Sequence, residues 1–118
     1  MLTLYGIPNC DTIKKARTWL DKNKVPYQFY DYRKDGISPE KVSSWFSEFP
    51  WDKVLNKAST TWKELSDEEK AKVTDAKSAA ALLSANPTAI KRPVIEDENG
   101  KALTLGYSEK IYEETYLK

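Results

Sequence analysis

The sequence contains no histidine, and that absence removes several chemistries at once. Without an imidazole there is no Ser-His-Asp or Cys-His catalytic pair. With a single cysteine besides, the ligand clusters that hold zinc and other transition metals are missing, and the scattered carboxylates show no calcium-loop spacing. One cysteine cannot close an internal disulfide, so any disulfide formed by Cys10 is intermolecular or transient. Charge of one sign is not in excess either. Lys and Arg number 19 against 18 Asp and Glu, and a net charge of +1 gives no general attraction to nucleic acid or membrane. No apolar run approaches the roughly 18 residues of a transmembrane helix, and no charged-then-apolar leader opens the chain. The expectation is a cytoplasmic protein. Repeats and low-complexity tracts are also lacking, and 118 residues suit a single domain spanning 1–118.

What is present is ordered simply. Leu2-Thr3-Leu4-Tyr5 reads as a buried strand, and Asp11–Lys22 as a helix with Ile13, Ala16 and Leu20 on one face. After a break at Pro26, the segment Tyr27–Tyr32 is rich in strand formers. A crossover helix of this length allows the two strands to pair in parallel. Ser38-Pro39-Glu40-Lys41 opens a helix running to about Phe49, with Ser38 as N-cap and Pro39 at the first helical position.

From Pro50 to about Lys77 the pattern is less regular. Trp51–Asn56 admits a helix, Thr60–Leu65 fits no single period, and Ser66-Asp67-Glu68-Glu69 has the form of a capping box. Asp75–Ala85 is a further helix, stopping before Asn86-Pro87. Pro93–Glu96 and Lys101–Leu105 form a hairpin about the turn Asp97-Glu98-Asn99-Gly100, and Gly106-Tyr107-Ser108-Glu109 starts a last helix through Tyr116. The order is β-α-β, a helical insert at about 38–88, then β-β-α, an α/β class. The aromatics, Trp19, Trp45 and Trp62 among them, sit at spacings that fill a core, with no interleaved basic patch for stacking nucleic-acid bases.

A lone cysteine is by default a small buried hydrophobe. Cys10, however, lies where Gly6-Ile7-Pro8-Asn9 carries the first strand into the first helix, and Pro8 and Asn9 are surface-turn residues. The first N–H groups of a helix lack internal partners and, with the helix dipole, favour thiolate over thiol. Lys14 can share the helix face with the sulfur, while Asp11 partly opposes ionisation. A lowered thiol pKa is expected. In Lys91-Arg92-Pro93, two bases precede the proline that opens a strand. Such a pair is usually a solvated surface feature, but Arg92 can also offer a planar fork to an oxyanion.

Together, Thr3–Ala16, Lys91-Arg92-Pro93 and Leu105-Gly106-Tyr107-Ser108-Glu109 resemble the arsenate-reductase-like (ArsC/Spx/YffB) branch of thioredoxin-fold proteins, closest to the YffB type. The likeness runs the length of the chain. It implies a thioredoxin-like fold with a mixed four-stranded sheet, Cys10 and Arg92 as the catalytic pair, and Pro93 in the cis form. It also implies thiol or substrate binding by Asn9, Asp11, Thr12, Lys14, Asn56, Lys91 and Pro93, with Lys14 placed to hold a glutathione carboxylate. No tightly bound cofactor is implied, and glutathione or another small thiol is the expected co-substrate.

The chain departs from that pattern in two places. Members that reduce arsenate carry three arginines around the cysteine; here Arg92 matches, while the other two positions fall on Asn56 and Gly106, which have no guanidinium. The regulatory members often carry a Cys-x-x-Cys switch and bind RNA polymerase through the insert and nearby surface. In this chain the second cysteine position is Ile13, and the segment around Pro50 does not reproduce that face. The reading is a glutathione-dependent monothiol reductase. The alternatives are a protein partner of the transcription machinery and an arsenate reductase with a degenerate oxyanion site.

Overall fold

The structure is a computed structural model that describes residues 1–117; Lys118, the end of the expected domain, lies outside them. The described chain forms two compact units. One comprises Met1–Asp35 together with the chain from Arg92 onward, and the other comprises Gly36–Lys91.

The first unit is built on a four-stranded sheet. Strands β1 (Leu2–Gly6), β2 (Tyr27–Asp31), β3 (Val94–Glu96) and β4 (Ala102–Leu105) take the order β2-β1-β3-β4. β1 and β2 are parallel, joined through helix α1 (Asp11–Lys22), whereas β1–β3 and β3–β4 are antiparallel. Along β1 the side chains alternate between faces. Leu4 joins Ile95, the α1 residues Ile13, Ala16, Trp19 and Leu20, and Tyr112 of the last helix α8 (Glu109–Tyr116) in one buried cluster. The rings of Trp19 and Tyr112 meet edge to face with centroids 5.4 Å apart, so these aromatics are core residues. Tyr5, on the opposite face, donates its hydroxyl to the buried Glu96 carboxylate at 2.9 Å.

One detail of this unit differs from the sequence reading. β2 ends at Asp31, because the Asp31 Oδ1 accepts the backbone N–H groups of Arg33 and Lys34 and turns the chain into a one-turn helix, α2 (Tyr32–Asp35). Arg17, on α1, lies 4.5 Å from the Phe29 ring centroid and donates from Nε to the Tyr27 hydroxyl at 3.0 Å.

The second unit is helical: α3 (Pro39–Trp45), α4 (Trp51–Val54), α5 (Thr60–Lys63), α6 (Asp67–Ala71) and α7 (Ala76–Ala85), then a 3-10 turn at Pro87–Ala89. Ser38 caps α3 through the Lys41 N–H, and the expected capping box forms at Ser66 and Glu69. α3 ends four residues before Phe49, because the chain tightens after Trp45, with the Phe46 N–H bonding the Ser43 carbonyl and the Glu48 N–H the Trp45 carbonyl. α3 packs along α7, with Val42, Trp45, Ala79, Ala80 and Leu83 buried.

Candidate functional site

Strand direction delivers three residues to one end of the sheet. β1 finishes at Gly6, the pairing partner of Asp31, so the turn to Cys10 and the turn to Tyr32 leave neighbouring strand ends. β3 runs the other way and starts at Val94, opposite Tyr5, which brings the preceding Arg92 and Pro93 to that same end. Gly6 closes β1 where an added Cβ would run into the end of the Ile13 side chain, so a larger residue there would force Ile13 to move.

Cys10 is the N-cap of α1, with extended backbone (φ −129°, ψ 128°), and its carbonyl accepts the Lys14 N–H at 3.0 Å. The sulfur is half-buried, and Arg92 donates to it from Nε at 3.3 Å. Burial by itself would push the thiol pKa up. It is outweighed by the Arg92 hydrogen bond, the N–H groups of Ile13 and Thr12 and the Arg92 charge, so the thiol is held below its ordinary value. Neither amide reaches the geometry of a side-chain cap hydrogen bond, so both act on the sulfur mainly through their dipoles. Burial also works against the charge on Arg92, but its pairing with Cys10 and Tyr32 prevails and the guanidinium is held charged.

Tyr32 is the residue that sequence reasoning missed. Its side chain is 0% exposed, and its hydroxyl makes no hydrogen bond of good geometry although the Arg92 guanidinium acts on it. Burial pushes the phenol up to about 12, against the pull of the Arg92 guanidinium. The signal that could have found it is Asp31, an Asx-type cap that ends the strand and turns the next residue inward.

The other expected residues divide between the units. The Arg92–Pro93 peptide bond is cis, and the Pro93 carbonyl accepts the N–H of Gly106, which sits at φ 82°. Thr12 lies beside the sulfur in the first turn of α1; Asn9, Asp11 and Lys14 are exposed, and neither Asp11 nor Lys14 is among the groups that act on the thiol. Lys14 lines a groove with Lys15, Lys22, Trp19 and Tyr107. Asn56 and Lys91 belong to the second unit, where the Asn56 N–H bonds the Ala89 carbonyl at 2.8 Å and the Lys91 N–H the Val54 carbonyl at 2.7 Å. Among the described residues no cluster of three or more His, Cys, Asp or Glu could hold a metal ion, and no helix is long and apolar enough to cross a membrane.

Comparison with known proteins gives a consistent set of likenesses. The ArsC family model matches residues 5–115. An uncharacterised protein of Haemophilus influenzae is 43% identical over 116 residues, which are 98% of this chain and 99% of that one. The global transcriptional regulator Spx of Listeria innocua is 29% identical over 111 residues, covering 92% of this chain and 82% of the regulator. A solved structure of a YFFB protein superposes with a TM-score of 0.90 at 42% identity, over 98% of this chain and 99% of that one.

Proposed function

The chain belongs to the ArsC family, with its thioredoxin-like fold, and from that membership and the surroundings of Cys10 we propose that it is a glutathione-dependent monothiol reductase. The observation that carries this reading is the Arg92 Nε donating to the Cys10 Sγ at 3.3 Å, at the N-terminus of α1. A guanidinium and two converging amides stabilise the thiolate, which is the nucleophilic form of sulfur.

In the first step the Cys10 thiolate attacks one sulfur of an oxidised partner. A new Sγ–S bond forms, the partner's S–S bond breaks, and the leaving thiolate carries away the electron pair. Arg92 and the N–H groups of Thr12 and Ile13 hold the negative charge on Sγ before attack and again as it is released. The resolving thiol comes from outside, because the position that would supply a second cysteine is Ile13, which is 0% exposed in the core. A glutathione thiolate attacks the sulfur joined to Sγ, forms a second disulfide and releases Cys10 as thiolate. Lys14, in its groove with Lys15 and Lys22, offers charge for the glutathione carboxylates. A reductase drawing on reduced glutathione works in the cytoplasm, where we place it.

Arsenate is a poor fit as substrate. One guanidinium at Cys10, with a side-chain-free Gly106, offers little to a multiply charged oxyanion, and no arsenate-dependent glutathione oxidation is expected. The test of the main reading is Cys10→Ser, which should abolish glutathione-coupled disulfide turnover while the fold persists. Undiminished turnover would sink it. A second reading, a partner of the transcription machinery, is favoured by the match to Spx over 92% of this chain. RNA polymerase capture that survives Cys10→Ser and ignores thiol state would select it.

A further inference from the structure

Lys14, Thr18 and Lys22 stand four residues apart and so form one row along α1. Between this row and the start of α8 lies a groove of about 400 Å³, completed by Lys15, Tyr107 and Glu109. One end of it adjoins the Cys10 turn: the Lys14 N–H bonds the Cys10 carbonyl, and Tyr107 follows Gly106, whose N–H bonds the Pro93 carbonyl. The other end is Lys22, the last residue of α1. The Tyr107 ring is held edge to face against the buried Tyr112, with centroids 5.1 Å apart, so the core fixes that wall. Three lysines share the lining with a single carboxylate, and among the described residues none of the three is in an ion pair. The chain as a whole carries only +1, so this positive track is a local feature.

Its length decides what fits. An α-helix rises about 1.5 Å per residue, which puts Lys14 about 6 Å and Lys22 about 18 Å along α1 from Cys10. An extended tripeptide spans about 10 Å, and glutathione carries its sulfur on the middle residue. Bonded to Cys10 it suits Lys14 and leaves the Lys22 end unfilled. Reaching Lys22 takes about five extended residues beyond the reactive cysteine. We propose that the groove docks an extended acidic segment flanking the reactive cysteine of a protein disulfide, so that the substrate class is a protein and not only a small disulfide. This deepens the reductase reading and rests on it for the bonds exchanged at Cys10, which are unchanged. Nucleic acid is the poorer occupant, because the groove ends at a nucleophilic sulfur and a polynucleotide brings no disulfide to it.

The test uses the whole chain and synthetic peptides whose single cysteine is activated as a 2-pyridyl disulfide. Cys10 Sγ bonds to the peptide sulfur, the bond to the pyridyl sulfur breaks, and pyridine-2-thiolate leaves with the electron pair and is read by its absorbance. The cysteine is flanked by a run of glutamate, glutamine or lysine, on either side in separate peptides. Surface ion pairs each change an equilibrium by about 1.5- to 5-fold. In its preferred direction the glutamate peptide should therefore react about tenfold faster than the glutamine peptide, and the lysine peptide slower. The preference should shrink as salt rises beyond about 0.1 M. It should fall to about a third or less in Lys15→Gln/Lys22→Gln. Lys63→Gln/Lys72→Gln, which removes two charges outside the groove, should keep most of it. Melting temperatures check that both variants fold. Equal rates for glutamate and glutamine peptides, or equal losses in the two variants, overturn the proposal. So does a short single-stranded oligonucleotide that blocks the reaction at lower concentration than a thiol-free glutamate peptide. Docking is also read without chemistry, since the thiol-free glutamate peptide should shift the amide NMR signals of residues 14–22 and Tyr107; signals that stay in place overturn it. If no pyridyl disulfide reacts, the reductase reading falls, and the NMR shifts still decide the groove.

Discussion

Gly6→Ala tests how the core sets the site. The added Cβ meets the Ile13 side chain, with Cδ1 its nearest atom, and Ile13 is fully buried in one cluster with Leu4, Ala16 and Ile95. Overpacking of this kind costs about 1–3 kcal/mol. For a chain of 118 residues the unfolding entropy is about 0.25 kcal/mol per degree, so the melting temperature should fall by about 4–12 °C. The same collision bears on the first turn of α1, where the Ile13 and Thr12 amides face the Cys10 sulfur, so alkylation of Cys10 at neutral pH should slow. Ile13→Val removes the colliding Cδ1 methyl. It costs about 0.5–1.5 kcal/mol alone, yet should recover part of the loss in the double variant. Thermal melts of the four proteins, read with alkylation rates, give the coupling directly. A Gly6→Ala protein with wild-type melting and wild-type alkylation, or strict additivity in the double variant, would refute the reasoning.

Two further outcomes are expected. The Cys10 thiol ionises at lower pH in the folded chain than in the unfolded one, so its contribution to stability is fully present above the unfolded value of about 8.5 and is lost as the pH falls through the folded value; denaturant melts of wild type and Cys10→Ser across that window should show the difference between them widening with pH. Asp31→Ala removes the acceptor for the Arg33 and Lys34 N–H groups and should cost about 1 kcal/mol by chemical denaturation, and an unchanged denaturation midpoint would count against that capping role.

The sequence made some features plain and hid others, for physical reasons. α1 was readable to the residue, because Pro8-Asn9 before it and Pro26 after it bracket a helical face of Ile13, Ala16 and Leu20. The caps at Ser38 and Ser66 were readable because their partners lie only three residues away. The hairpin about Asp97–Gly100 was legible in the same local way. α3 was read too long, since Phe46 and Phe49 continue an apolar pattern that does not register the tightening turn after Trp45. Tyr32 was hidden for a different reason. In a run of aromatic strand formers nothing marks the one side chain that the turn after Asp31 carries to Arg92, 60 positions further along the chain. Cys10 and Arg92 were each visible as candidates, but their meeting follows from the antiparallel pairing of β1 with β3, which neither segment encodes locally.

The central claim is that Arg92 and the first turn of α1 make Cys10 a thiolate nucleophile. It is tested most directly by the pH dependence of Cys10 alkylation in wild type and in Arg92→Ala. The account predicts titration below the ordinary thiol value of about 8.5 in the wild type, and a clear rise when Arg92 is removed, with the folded state retained. Titration at or above that value in the wild type, or no change on removing Arg92, would contradict it.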